Sequence, residues 1–81
     1  MKDAFEGKGN RMLWERAKSS NIDSVGYDPA TKELQVKFRS GALYRYAMVP
    51  QEVYDEFKAV QFSGRFLNTD IKNNYEYERV E

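Results

Sequence analysis

Four groups of residues in this 81-residue chain have types and spacing that could do chemistry. Tyr44-Arg45-Tyr46 sets a cation between two aromatic rings. Such a platform can stack unpaired bases while the guanidinium meets phosphate. Lys37, Arg39 and Arg45, with Lys32 as an outlying member, form a basic set that adjacent strands would gather into one patch. Three or four such charges contact a few phosphates, and that binding weakens with salt. Ser63-Gly64-Arg65-Phe66-Leu67-Asn68 reads as a helix start, where free backbone N–H groups beside Arg65 suit an anion. Trp14, next to Met12 and Leu13, is the lone Trp, in a polar stretch, and Trp is enriched at interface hot spots.

Each group also has a plain structural counterpart. Tyr44 and Tyr46 can be core residues with hydroxyls at the rim. Lys37, Arg39 and Arg45 can be a solvated sheet face. Ser63 can be an ordinary N-cap, with Gly64 allowing close packing and Phe66 and Leu67 entering the core. Trp14 can dock on its own domain.

Much other chemistry is excluded by composition. The chain has no Cys and no His, which removes thiol nucleophiles, disulfides, zinc fingers and imidazole acid–base pairs. Thirteen basic residues balance thirteen acidic ones, so a sequence-wide polycation is absent. That balance hides segregation: residues 1–21 have five basic and three acidic residues, 22–49 four and three, 50–81 four and seven. Glu52, Asp55 and Glu56 fall on a predicted helix and Glu76, Glu78 and Glu81 near the end, without the glycine-bearing loop of a calcium site. No phosphate-binding loop, dinucleotide fingerprint or nucleophile elbow occurs. Neither an enzyme, a metal site nor a cofactor is expected. No run of about 18 apolar residues is present, and the start lacks the apolar stretch of a signal peptide. With no Cys to suggest an oxidising compartment, the expected location is cytoplasmic, with no membrane partner.

The elements that must position these residues follow from periodicity. Gly7, Gly9, Asn10, Ser19, Ser20 and Asn21 make residues 1–21 an N-terminal extension, flexible through Asn10, in which a short helix over residues 11–18 fits Leu13, Trp14 and Ala17. From Ile22 the period becomes two. Asp28-Pro29-Ala30-Thr31-Lys32 is a turn, because Asp bonds its own backbone ahead and Pro fixes φ. Glu33–Arg39 then alternates strictly, and 42–48 reads as a third strand. A two-residue Ser40-Gly41 loop would set Val36 opposite Arg45. A three-residue loop with Gly41 left-handed instead pairs Val36 with Tyr44 and Leu34 with Tyr46. The second register is preferred. It gathers Leu34, Val36, Phe38, Tyr44, Tyr46 and Met48 on one face and leaves Lys37, Leu43 and Arg45 on the other, with Arg39 at the turn. A helix over 50–60 carries the stripe Val49, Val53, Phe57 and Val60. Ser63 caps a second helix over 64–71, and Tyr75–Arg79 alternates as a last strand.

In this order and spacing the residues resemble the KTSC domain, a short module named after a C-terminal segment of some lysyl-tRNA synthetases. The likeness runs from Ile22 to Tyr77. It rests on Ile22, Gly26-Tyr27-Asp28, Leu34-x-Val36-x-Phe38, Gly41, Tyr44-x-Tyr46, Val49-Pro50, Ser63-Gly64-x-Phe66-x-Asn68 and Ile71. The resemblance implies a module found alone in bacterial and phage-type proteins or appended to a synthetase, a context that suggests RNA. The expectation is an α+β fold: residues 1–21 as extension, and 22–81 as one domain with an antiparallel three- to four-stranded sheet covered on one face by one longer and one short helix. The expected function is a small binding module for RNA or single-stranded nucleic acid through Lys37, Arg39, Arg45 and Arg65. The alternative is a protein-interaction or regulatory module acting through Trp14 and the acidic C-terminal half.

Overall fold

The computed structural model describes residues 12–81. The expected flexibility through Asn10 concerns residues outside that range. Five strands form one antiparallel sheet in chain order: β1 (Leu13–Arg16), β2 (Ile22–Asp28), β3 (Glu33–Phe38), β4 (Leu43–Tyr46) and β5 (Tyr77–Arg79). Between β4 and β5 lie α1 (Gln51–Ala59) and α2 (Gly64–Phe66), which runs into a π-helical turn, Leu67–Ile71. The α+β class holds, with five strands where three or four were expected.

The difference begins at residues 13–16, which form a strand and not the expected helix. Leu13 pairs with Tyr27, Trp14 with Gly26 and Glu15 with Val25. Ala17 is buried in the core, so the domain starts before Ile22. Helical spacing misled because the strand's pattern is masked. Leu13 faces the helix side yet is 65% exposed at the sheet edge, and Trp14 covers a glycine on the other side.

The turns behave as their residues dictate. Asp28 Oδ1 accepts a hydrogen bond from the Ala30 N–H at 2.9 Å, and the Lys32 N–H bonds the Asp28 carbonyl. Gly41 adopts φ 102°, the left-handed conformation that lets the Phe38–Ala42 loop close; the Phe38 N–H reaches the Ala42 carbonyl at 2.8 Å. The register is the preferred one, Val36 opposite Tyr44 and Leu34 opposite Tyr46. Met48 departs from the expected core face. With φ 58° it leaves the strand line and points to solvent, while Val49 takes the buried place.

The core joins Ile22, Val25, Tyr27, Leu34, Val36 and Tyr46 of the sheet to Val49, Tyr54, Phe57, Phe62, Leu67 and Ile71. Val60, expected on the buried stripe, is exposed. The helix ends first: the N–H groups of Gln61 and Phe62 bond back to the carbonyls of Lys58 and Phe57, and both residues turn left-handed. That reversal swings Phe62 inward, edge-on to Phe57 at 5.1 Å. Among the described residues no helix is long and apolar enough to cross a membrane.

Candidate functional site

Strand pairing lays the side chains in rows across the sheet, and two rows decide where charge is available. The outer row runs Trp14, Gly26, Gln35, Arg45, Glu78. Glu78 stands directly opposite Arg45, and its carboxylate lies 2.7 Å from the guanidinium; Glu33 Oε2 approaches the Arg45 Nε at 3.7 Å. Arg45 is therefore neutralised from both sides. Lys37 is exposed on this face, with Ser24 and Leu43 as its cross-strand partners. Trp14 lies across Gly26, where an added Cβ would fall 2.6 Å from the indole. The ring, 47% exposed, is docked on its own sheet.

The inner face differs. There a row runs Glu15, Val25, Val36, Tyr44, Arg79, so Arg79 stands opposite Tyr44. Tyr77 stands opposite Tyr46 in the next row. Near the β4–β5 end the helices leave this face partly open, and two adjoining hollows occupy the gap. The first, about 540 Å³, is walled by Phe38, Tyr44, Tyr46, Tyr77, Arg39, Lys72 and Arg79, with Ser20, Asn21, Ser40, Ala42 and Asn68. The second, about 460 Å³, is walled by Lys18, Ser19, Ser63, Gly64 and Arg65, with Val60 and Gln61, and shares Ser20, Asn21, Phe38 and Asn68 with the first. Both fall within the roughly 300–1,000 Å³ typical of ligand pockets.

Among the described residues, five cationic side chains and no carboxylate side chain line this groove. The ion pairs found among the described residues, Arg45 with Glu33 and Glu78 and Lys58 with Glu15, involve none of the five. Local structure fixes each one. Arg39 follows β3; its Nε donates to the Ser19 carbonyl at 2.9 Å and its N–H to that of Asn21, tying the 17–21 segment to the groove. Arg65 follows the Ser63 cap, whose hydroxyl accepts the N–H groups of Arg65 and Phe66 at 3.2 and 3.4 Å. The π-helical turn, with the Lys72 N–H reaching the Leu67 carbonyl, brings Asn68 and Lys72 to the same wall. Arg79 donates through Nε to the Glu81 main-chain oxygen at 2.9 Å.

The aromatic floor is built in steps. Phe38 meets Tyr44 edge-on at 5.6 Å, and Tyr77 lies 6.1 Å from Tyr44 and 5.5 Å from Tyr46. The Lys72 ammonium sits 5.7 Å from the Tyr77 ring centre. Tyr46 is buried, and burial first, then Tyr44 and Tyr77, push its pKa up to about 12. It stays a neutral donor at ordinary pH. Tyr44 is half-buried and Tyr77 is 43% exposed. The groove thus combines cations, neutral donors and ring faces, a set that recognises anions carrying flat apolar groups.

Of the residues singled out by sequence, Arg39, Arg65, Tyr44, Tyr46, Ser63, Gly64 and Asn68 converge on the groove, Phe66 packs against the core, and Lys37, Arg45 and Trp14 lie on the opposite face. Lys18, Lys72, Tyr77 and Arg79 were missed. The alternation of Tyr77 and Arg79 was visible; the missing step was the pairing of Glu78 with Arg45, which sends both to the inner face.

A family model of the KTSC domain matches residues 18–75. A protein of Tsukamurella paurometabola is 44% identical over 57 residues, which is 70% of this chain and 85% of that protein. An uncharacterised protein of Stutzerimonas stutzeri is 44% identical over 64 residues, 78% of this chain and 90% of that one. A lysine–tRNA ligase of Nostoc sp. matches 65 residues at 31% identity, covering 80% of this chain but 12% of the ligase. The crystal structure of a KTSC domain protein from Yersinia pestis aligns with a TM-score of 0.76 at 33% identity, over 86% of this chain and 99% of that chain.

Proposed function

The chain belongs to the KTSC domain family, and on that premise we propose that it is a small nucleic-acid-binding module, for RNA or single strands, acting through the inner groove. The observation that supports this reading is the groove's lining: Lys18, Arg39, Arg65, Lys72 and Arg79 with no carboxylate side chain among the described residues, beside half-open tyrosine rings. A phosphate backbone is the polyanion such a lining suits, and cation contacts supply most of its affinity. The similarity to a segment of lysine–tRNA ligases adds a setting in which RNA is at hand. No step of covalent chemistry is assigned to the groove. The test is titration of the full chain with tRNA and with oligouridylate at 50 and 200 mM salt. Five phosphate contacts to a single strand give a salt slope of at most about −3.5, or up to about a hundredfold between those salts. Absence of salt-dependent binding even at low millimolar salt would overturn the proposal.

The second reading is a protein-interaction module centred on the Trp14 segment. Its supporting observation is Leu13, exposed on edge strand β1. Deleting residues 1–21 is the wrong test, because it removes β1 and buried Ala17 from the domain. Leu13→Lys with sedimentation analysis tests its self-associating form; loss of self-association supports that form, and an unchanged monomer removes it.

A further inference from the structure

The two hollows differ in chemistry. One has Tyr44, Tyr46 and Tyr77 in its wall beside Arg39, Lys72 and Arg79; the other has Lys18, Ser63, Gly64 and Arg65, and among the described residues Phe38 is its one aromatic. They adjoin through Phe38 and Asn68. We infer that they are subsites of one strand: the aromatic hollow takes an unstacked base against Tyr77 and Tyr44, and the polar hollow takes the neighbouring phosphate on Lys18 and Arg65. This rests on the proposed nucleic-acid reading and adds to it a selection for single strands that charge alone does not give.

The physical reason lies in what Tyr77 does not do. Its neighbours on β4 are Tyr44 and Tyr46, 6.1 and 5.5 Å away at tilted angles, and Tyr46 already belongs to the core. Tyr77 sits on edge strand β5 and is 43% exposed, with the Lys72 ammonium over the ring, 5.7 Å from its centre. Neighbouring rings and a cation hold this ring in place, and its exposed part faces the groove. Every base has a π-face, so stacking there tolerates sequence. A base inside a duplex is already stacked on both sides and offers no face without unpairing. Phosphates are equally present in single strands, duplexes and strands stripped of their bases. Discrimination among those three therefore reports on the aromatic subsite, and affinity common to all three reports on the cations.

The experiment uses fluorescence anisotropy on the full chain with a twelve-residue oligouridylate, an abasic strand of equal length, a duplex of equal length and polyglutamate. The expected order places oligouridylate at least about fivefold tighter than the abasic strand, the lower bound for stacking on one aromatic ring. Tyr77→Ala is expected to erase that preference, and Tyr77→Phe, which keeps the ring, to retain it. Arg65→Gln is expected to weaken all three nucleic-acid probes by a similar factor. Equal affinity for oligouridylate and the abasic strand, or a preference that survives Tyr77→Ala, would overturn the base subsite and leave the nucleic-acid reading standing. Polyglutamate bound as tightly as oligouridylate, or no binding of any nucleic-acid probe at low salt, would overturn both.

Discussion

The two faces of the sheet carry the same kinds of residue and put them to different use. On the outer face Arg45 meets Glu78 and Glu33, and Trp14 lies on Gly26. On the inner face no carboxylate side chain among the described residues lines the groove wall with Arg39, Lys72 and Arg79, and Tyr77 stands half-open. Along β4 and β5 a single step in the chain separates the two conditions. Glu78 neutralises Arg45; Arg79, its neighbour, turns to the other side and joins Tyr44. A basic residue on a strand is therefore no measure of a basic surface. Its cross-strand neighbour decides whether the charge is spent inside the protein or is available to a ligand.

That contrast is most sharply broken by moving charge. Arg65→Gln with Lys72→Gln should weaken oligonucleotide binding about 25-fold at 0.1 M salt, taking about 0.7 log units for each lost phosphate contact. Lys37→Gln with Arg45→Gln on the outer face should change it less than about threefold. Anisotropy titrations of the two double variants decide between the faces; equal losses would erase the distinction.

The outer face is read as structural, and Gly26→Ala tests that. The new methyl would meet the Trp14 ring well inside contact distance, so a loss of about 1.5 kcal/mol in urea unfolding is expected. Adding Trp14→Ala should return part of the loss, and nucleic-acid affinity should stay unchanged throughout. Full stability in Gly26→Ala would mean that Trp14 is not seated there.

A smaller effect reads the inner face alone, by pH. Tyr46 and Tyr54 both have hydroxyl pKa values raised to about 12, each chiefly by burial, with Glu15 adding to the effect at Tyr54. In the unfolded chain they ionise near 10. Their contribution to stability is thus fully present below pH 10 and is lost as pH rises toward 12. The urea midpoint should fall across that window, and Tyr46→Phe, which cannot ionise, should flatten the fall. An identical fall in the variant would contradict the burial of Tyr46.

The smallest effect expected concerns neither face but the turn that links α1 to α2. Gln61 occupies the left-handed position where helices commonly end on glycine, at φ 57°. Gln61→Gly should raise stability by about 0.5 kcal/mol, read from the same unfolding curves. A loss would show that the Gln61 side chain stabilises more than the conformation costs.

Much of the sheet was legible because its signals are local. The alternation of Leu34, Val36 and Phe38, the Asp28-Pro29 turn and Gly41 fix the β2–β3–β4 register with little freedom, since a one-residue slip would bury Arg45. Ser63 as a cap was legible for the same reason. The strand at residues 13–16 was not, because an edge strand that seats Trp14 on a glycine shows no clean period. Val60 was misplaced because its fate depends on two left-handed residues after it, Gln61 and Phe62, neither of them a glycine to mark the reversal. The groove was half legible. Arg39, Arg65 and Tyr44 stood out, but their union with Lys18, Lys72, Tyr77 and Arg79 is made by contacts between segments up to sixty-one positions apart, which local pattern does not encode.

The central claim is that the inner groove, and not the outer sheet face, meets the strand. Its most direct test is a ¹H–¹⁵N titration of the full chain with oligouridylate. Shifts are expected to concentrate at Asn21, Arg39, Tyr44, Arg65, Asn68 and Tyr77, with Gly26, Gln35 and Arg45 unmoved. Shifts centred on Trp14, Gln35 and Arg45, with the groove silent, would contradict it.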